Sequence, residues 1–246
     1  MGFKWDYALS TNVGGREINE DAVGAYQNAG NYCFVLCDGL GGHGMGEVAS
    51  ALVRDVFEDM FRKTDDMVNF LGDAFSAAQS ILLSEQQRCH AEQKMKTTGT
   101  ALVIDETHAR LGHIGDSRIY WFNHGRIKAR TLDHSVPQML ALSHEIKESE
   151  IRHHHDRSIV LRVLGTEWEQ PQYELMAPIP LRKCDAFLLC TDGFWELLEE
   201  KNMIAALKKT STAKEWLENM LSSVKINGAG IDMDNYSAIA VRKIKE

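Results

Sequence analysis

Long apolar runs are missing from this chain. No stretch approaches the ~20 apolar residues that a membrane-spanning helix requires, and Trp5-Asp6-Tyr7 breaks the start before a secretory leader could form. The opening Met-Gly-Phe-Lys-Trp-Asp lacks the Ser or Thr of a myristoylation signal. Proline is scarce: Pro137, Pro171, Pro178 and Pro180 all fall in the second half. No Ser/Gly-rich linker, low-complexity tract or internal repeat marks a boundary, so one domain over 1–246 is expected. Positive charge is short as well. With 27 Lys and Arg against 35 Asp and Glu, the formal net charge is -8, which argues against nucleic acid as the main partner. No Gly-rich loop ends in Lys-Ser or Lys-Thr, which excludes a P-loop. No heptad run suggests a coiled coil, so a monomer is expected.

Cysteine is present in an odd number: Cys33, Cys37, Cys89, Cys184 and Cys190. Four of them lie in or beside apolar, strand-like runs, which reads as buried, reduced thiols in a cytoplasmic protein. None is followed by five residues and an Arg, as the phosphate loop of a cysteine phosphatase requires.

What the chain does have is acid in particular places. Asn19-Glu20-Asp21, Asp38-Gly39, Asp192-Gly193 and Asp234-Asn235 each sit at the end of a run that reads as a β-strand. The clearest runs are 32–37, before Asp38, and 186–190, before Thr191-Asp192. An apolar strand ending in Asp-Gly delivers a carboxylate to the rim of a packed sheet, where glycine lets the backbone turn and approach a ligand closely. Gathering several carboxylates at one rim is costly unless a cation neutralises them. Oxygen ligands of this kind suit hard divalent ions. Gly115-Asp116-Ser117-Arg118 adds another Asp, in a tight turn between two strands.

The first 40 residues read as strands joined by tight turns. Val48, Leu52, Val53, Val56, Phe57, Met60 and Phe61 recur at helical spacing, and a second helical stripe runs over 66–94. Strands are expected at 99–104, 109–114 and 117–122, with Asn123-His124-Gly125 closing a hairpin onto 126–131. The segment 135–156 reads as a polar, helical surface excursion. Strands at 172–177 and 186–190, helices at 194–208 and 212–225, and a strand at 236–244 complete the pattern. Strand blocks separated by helix pairs, without a strand-helix-strand rhythm, point to an α+β fold of mainly antiparallel sheets with helices outside.

Eight short motifs then occur in an order that identifies a family. They are Arg16-x-x-Asn19-Glu20-Asp21, Asp38-Gly39-x-Gly41-Gly42-His43, Thr98-Gly99-Thr100-Ala101, Gly115-Asp116-Ser117-Arg118, Asp133-His134-Ser135, Leu161-x-x-x-Gly165, Thr191-Asp192-Gly193-x-Trp195 and Asp234-Asn235. From about 8 to 242 the chain resembles the metal-dependent Ser/Thr protein phosphatases of the protein phosphatase 2C family, in its bacterial stand-alone branch. The resemblance implies a central antiparallel β-sandwich flanked by helix pairs, in four layers, with two Mn²⁺ or Mg²⁺ ions at one end and the third, looser metal site of bacterial relatives. By position, Asp38 bridges both ions, the Gly39 carbonyl holds one, and Asp192 and Asp234 hold the other. Glu20 and Asp21 orient water around the ions, Asp116 joins Asp192 at the third ion, and Arg16 clamps the substrate phosphate. The implied reaction is hydrolysis of phosphoserine and phosphothreonine in proteins by a metal-bridged hydroxide, reversing a Ser/Thr kinase or acting on its substrates.

Two departures stand out. Where eukaryotic relatives carry a His directly after Asp-Gly, this chain has Leu40, which leaves the general acid unassigned between metal-bound water and His43. The flap, near 135–165, carries His153-His154-His155, which reads as a solvated turn because consecutive residues converge poorly on one ion. Met139, Leu140 and Leu142 read as flap packing, and Arg157 and Arg162 as candidates for substrate selection. A catalytically silent binding module of the same fold is the alternative. Such a module would have lost metal-site aspartates, whereas Asp38, Asp192 and Asp234 are all present.

Overall fold

The structure, a computed structural model, describes residues 3–40, 44–91 and 94–245. Gly41, Gly42 and His43, and with them the proposed acid role of His43, lie outside the described residues.

Two antiparallel sheets face each other. One sheet contains β1 (Phe3–Asn12), β6 (Arg118–Asn123), β7 (Arg126–Arg130), β10 (Ala186–Cys190) and β11 (Tyr236–Lys245), in the order β1-β11-β10-β6-β7. The other contains β2 (Asp21–Asn28), β3 (Asn31–Asp38), β4 (Gly99–Ile104), β5 (His108–Ile114) and β8 (Glu174–Leu175) in that order, with β9 (Ile179–Pro180) also on β5. Helices α1 (Gly46–Lys63) and α2 (Phe70–Cys89) cover the second sheet, and α5 (Glu200–Lys209) and α6 (Ala213–Asn227) cover the first. Between them lie the short helices α3 (Val136–Leu142) and α4 (Asp192–Trp195). This is the expected four-layer arrangement.

The strand sequences explain the layering. In β3, Phe34 and Leu36 point between the sheets, while Cys33, Val35 and Cys37 point toward α1 and α2. In β10, Phe187 and Leu189 face the sandwich, and Ala186, Leu188 and Cys190 face the α5–α6 layer. Strands buried on both faces need continuous apolar runs rather than alternation. Each large side chain buried there contributes roughly 1.5–3 kcal/mol. All five cysteines are free, and burial raises the thiols of Cys33, Cys37 and Cys190 far above their usual range.

Several boundaries differ from the sequence reading, each for a local reason. The Asp66 side chain accepts the backbone N–H groups of Val68 (2.9 Å) and Asn69 (3.1 Å), a turn that delays α2 to Phe70. The helix expected over 194–208 is split because Glu199 is extended (φ -68°, ψ 149°) just after the fully buried Leu198. In the flap, helix covers only α3 and a 3-10 turn over Glu148–His153. Met139 and Leu142 are exposed there rather than packed. His124 and Gly125 both take positive φ (52° and 62°) at the expected hairpin turn, the geometry that two-residue hairpins prefer.

Candidate metal and phosphate site

The acidic clusters meet at one rim of the sandwich, although not all of them follow a strand. Asp38 ends β3 and Asp192 follows β10, whereas Asp21 begins β2 and Asp234 precedes β11. Antiparallel pairing reconciles the two arrangements, because the end of one strand lies beside the start of its neighbour. Asp21 pairs directly with Asp38 in register, and β10 runs antiparallel to β11 with Cys190 opposite Ala238.

A cleft of about 610 Å³ opens at this rim, lined by Arg16, Glu20, Asp38, Gly39, Asp116, Asp192 and Asp234, with Leu40 and Lys96 on its wall. Both Asp-Gly pairs need their glycine because the chain passes too close for a side chain. A Cβ on Gly39 would lie 2.3 Å from the Gly46 carbonyl oxygen, and one on Gly193 would lie 2.2 Å from that of Asn235. Asp38 is held from its backbone: its N–H donates to the Thr98 hydroxyl (3.0 Å), and its carbonyl accepts from Thr97 Oγ1 and Thr98 N (both 2.8 Å). Asn235 clamps the opposite wall. Its Oδ1 accepts Glu20 N–H (2.8 Å), and its amide donates to the carbonyls of Val13 (2.8 Å) and Ile18 (3.0 Å). The roles of Thr97, Thr98 and Asn235 were not read from the sequence. The available signal was their polar type beside apolar strand runs, where a side chain that becomes buried needs a partner.

The carboxylates crowd one another. Asp38 and Asp192 are within hydrogen-bond reach. Burial, reinforced by neighbouring aspartates, pushes the carboxyls of Asp38, Asp116 and Asp192 above the usual carboxylate range. Behind them Asp21 is pushed up to about 8, chiefly by burial, and its Oδ1 is buried without a hydrogen-bond partner. Its Oδ2 accepts from Thr191 Oγ1 at 3.2 Å. An all-oxygen donor set, mutual repulsion and an orphaned buried oxygen fit Mg²⁺ or Mn²⁺.

Arg16 grips Asp234 in a fork, Nε to Oδ1 at 3.1 Å and Nη2 to Oδ2 at 3.0 Å, with both side chains about half exposed. The fork stands at the cleft mouth, where it can turn toward an anion. Asp116 is set from below by a buried stack: Trp195 Nε1 donates to the Asp116 carbonyl (3.0 Å), and the Arg118 guanidinium lies 3.4 Å from the Trp195 ring centroid. Arg118 in turn makes a bidentate bond to Asp133 (2.8 and 2.6 Å). Both charges are buried, and removing Arg118 leaves Asp133 with Arg130 alone, at 3.4 Å, in place of the bidentate bond. Arg118→Met is therefore expected to cost about 3 kcal/mol and to lower the melting temperature by roughly 6–12 °C. Arg118→Met/Asp133→Leu should recover much of that loss; a melting curve no better than that of the single variant would contradict this account.

The flap arises from paired ends, with a bridge between Ser135 and Val160 and a 2.7 Å bond from Leu161 N–H to the His134 carbonyl. Ser158 and Val160 reach the cleft. Arg157 is tied to Glu196 at 3.0 Å and Arg162 to Glu174 at 3.3 Å. Within the His run, His153 and His155 are exposed and His154 half-buried, and, contrary to the expectation that consecutive residues converge poorly, His154, His155 and Asp156 bring ligand atoms within 4.8 Å of one another. His113, His134 and Glu174 form another cluster with metal-like proximity. However, Gly115 N–H donates to His134 Nδ1 at 3.1 Å, so the hydrogen of the neutral ring sits on Nε2, the atom that would have to bind the ion.

Comparison with known proteins agrees with this picture. The family model described as Protein phosphatase 2C matches residues 13–230. The chain is 26% identical over 235 residues to the serine/threonine phosphatase Stp of Listeria monocytogenes, covering 93% of this chain and 91% of that protein. The crystal structure of the serine/threonine phosphatase Stp1 from Staphylococcus aureus superposes with a TM-score of 0.89 at 27% identity, covering 99% of this chain and 96% of that one. The catalytic domain of serine/threonine protein phosphatase PstP, solved in complex with 2 manganese ions, shares the fold with a TM-score of 0.82 at 24% identity, covering 99% and 100%.

Proposed function

Because the chain belongs to the protein phosphatase 2C family, we propose that it hydrolyses phosphoserine and phosphothreonine in proteins at the carboxylate-lined cleft, using divalent metal ions. The observation that carries this reading is the convergence of Asp38, Asp116, Asp192 and Asp234 on one cleft, with Asp38 and Asp192 in contact and Arg16 at the mouth. In this reading Asp38 and the Gly39 carbonyl, with Asp192 and Asp234, hold two Mn²⁺ or Mg²⁺ ions, and Asp116 with Asp192 holds a third. Glu20 and Asp21 orient water from behind. Bound ions would acidify water and place positive charge on the phosphoryl oxygens.

The residues of the chain perform the remaining tasks. The Thr98 and Asn235 hydrogen bonds hold the carboxylate-bearing backbone rigid, which keeps the donors from reorganising during reaction. Arg16 turns part of its fork from Asp234 to the phosphate, a planar bidentate match that lysine cannot reproduce. Arg16→Ala is expected to lower kcat/KM on a phosphothreonine peptide about 10–100-fold, mostly through KM, with Arg16→Lys recovering only part. An unchanged KM in Arg16→Ala would remove Arg16 from phosphate binding.

The direct test is release of phosphate from a phosphothreonine peptide with Mn²⁺, with Mg²⁺ and with EDTA. Turnover restored by metal and lost in EDTA supports the reading. Failure of folded protein with either ion favours a silent binding module. We place the enzyme in the cytoplasm as a monomeric single catalytic domain over 1–246, reversing a cognate Ser/Thr kinase without nucleic-acid or membrane partners. The five free thiols support that compartment. No helix among the described residues is long and apolar enough to cross a membrane.

A further inference from the structure

Among the described residues two basic side chains line the cleft, Arg16 and Lys96, and their situations differ. The charge of Arg16 is already met by Asp234. Lys96 makes no ion pair with any carboxylate among the described residues.

Its backbone is nonetheless firmly placed. The Lys96 carbonyl accepts Leu40 N–H at 2.9 Å, and Thr97 bridges Gly39 on one side and Leu164 on the other. Met95 and Thr97 are fully buried, whereas Lys96 between them is half-buried. Its stem therefore rises from a rigid base onto the wall beside Leu40.

Lys96 also lines a second hollow of about 370 Å³, together with Gln86, Gln87, Gly165, Thr166 and Glu167. It is the one described residue common to the two depressions, so it stands on the ridge between them. A substrate chain whose phosphorylated residue enters the cleft can continue over this ridge into the second hollow.

The cleft around it is strongly acidic, with Glu17, Glu20, Asp38, Asp116, Asp192 and Asp234 on its lining, in a chain of net charge -8. Bound ions would offset those aspartates, whereas Lys96 stands outside the proposed ligand set on the ridge, where a carboxylate passing toward the second hollow meets the lysine's own charge. We infer that Lys96 reads a carboxylate side chain flanking the phosphorylated residue of the protein substrate, and so sets a preference for acidic sequence contexts. The inference rests on the phosphatase reading of the cleft. A lysine that only offset the charge of the aspartates would affect every substrate alike, whereas one that recognises a flanking carboxylate discriminates among them.

Two phosphothreonine peptides that differ only in Glu or Gln beside the phosphorylated residue provide the test, with kcat/KM measured in Mn²⁺. Lys96→Met, which keeps the length and apolar stem, should reduce the Glu-to-Gln ratio about five-fold, mainly through KM. Lys96→Glu should reverse the preference in favour of a Lys-flanked peptide. An unaltered ratio in Lys96→Met, or an equal loss on both peptides, would overturn the inference while leaving the phosphatase assignment standing. If unaltered enzyme cleaves neither peptide with Mn²⁺ or Mg²⁺, the assignment itself fails and the inference falls with it.

Discussion

Asp38→Asn is expected to reduce turnover of a phosphothreonine peptide by about 10³-fold or more, without lowering the melting temperature of the metal-free protein. The two halves of this expectation come from the same geometry. Asp38 sits at the end of β3, held by Thr97 and Thr98 through its backbone, with its carboxyl against Asp192. Asparagine keeps the shape and the backbone bonds but removes the negative charge that a ligand shared by two ions would have to supply. In the absence of metal that charge is a liability, since burial and four neighbouring aspartates, Asp21, Asp116, Asp192 and Asp234, already oppose it. A simple structural residue would behave in the opposite way, with stability lost and activity largely kept. Residual turnover within ten-fold of the parent would sink the assignment of Asp38 as the shared ligand. Phosphate release and a thermal melt in EDTA, on the same preparations, decide the matter.

The second large effect concerns stability, pH and metal together. Asp21 is pushed up to about 8 in the folded protein, chiefly by burial, against about 3.9 in an unfolded chain. Between those values the folded state holds a proton that the unfolded state has released. The contribution is fully present below the unfolded pKa and is lost as pH rises through 8. Asp38, Asp116 and Asp192 shift in the same direction and add to the slope. The buried imidazoles His113 and His134 shift the other way, being held below their usual range. Their effect is confined to pH below about 6.5. Metal-free protein should therefore melt at progressively lower temperature from about pH 6.5 to about pH 8. Saturating Mn²⁺ should raise the melting temperature by roughly 5–10 °C, from about 2.7 kcal/mol at 100 times the dissociation constant, and by more at pH 9 than at pH 7. Asp21→Asn should flatten the metal-free slope. Equal slopes with and without metal, in the parent and in Asp21→Asn alike, would refute this account of the acidic rim.

Leu40 shows where reading residues along the chain stops. Its position after Asp38-Gly39 identified a departure from the eukaryotic pattern, yet nothing in the chain order says what stands beside it. Lys96, 56 positions later, becomes its neighbour only because Gly39 and Thr97 bridge. The same limit hid the supports of the site. Asn235 was visible as part of a motif, but its three hydrogen bonds reach Val13, Ile18 and Glu20 across more than 200 positions. Trp195 under the Asp116 turn is a similar case. The flap was the least legible stretch, because mixed polar and apolar residues with weak periodicity leave the choice of turn, helix or loop to the contacts at its base.

By itself the sequence determined the layers and the chemistry. Apolar runs such as 32–37 and 186–190 have to be buried on both faces, and amphipathic stripes have to cover them. Carboxylates beside those runs have to emerge at a sheet rim. Local rules of burial and backbone geometry suffice for that much. Only the tertiary structure decided that four separate rims are one rim, that Asp21 and Asp234 arrive at strand starts while Asp38 and Asp192 arrive at strand ends, and that a lysine faces the same cleft. Antiparallel pairing and the packing of two sheets set those distances, and they depend on contacts between residues far apart in the chain.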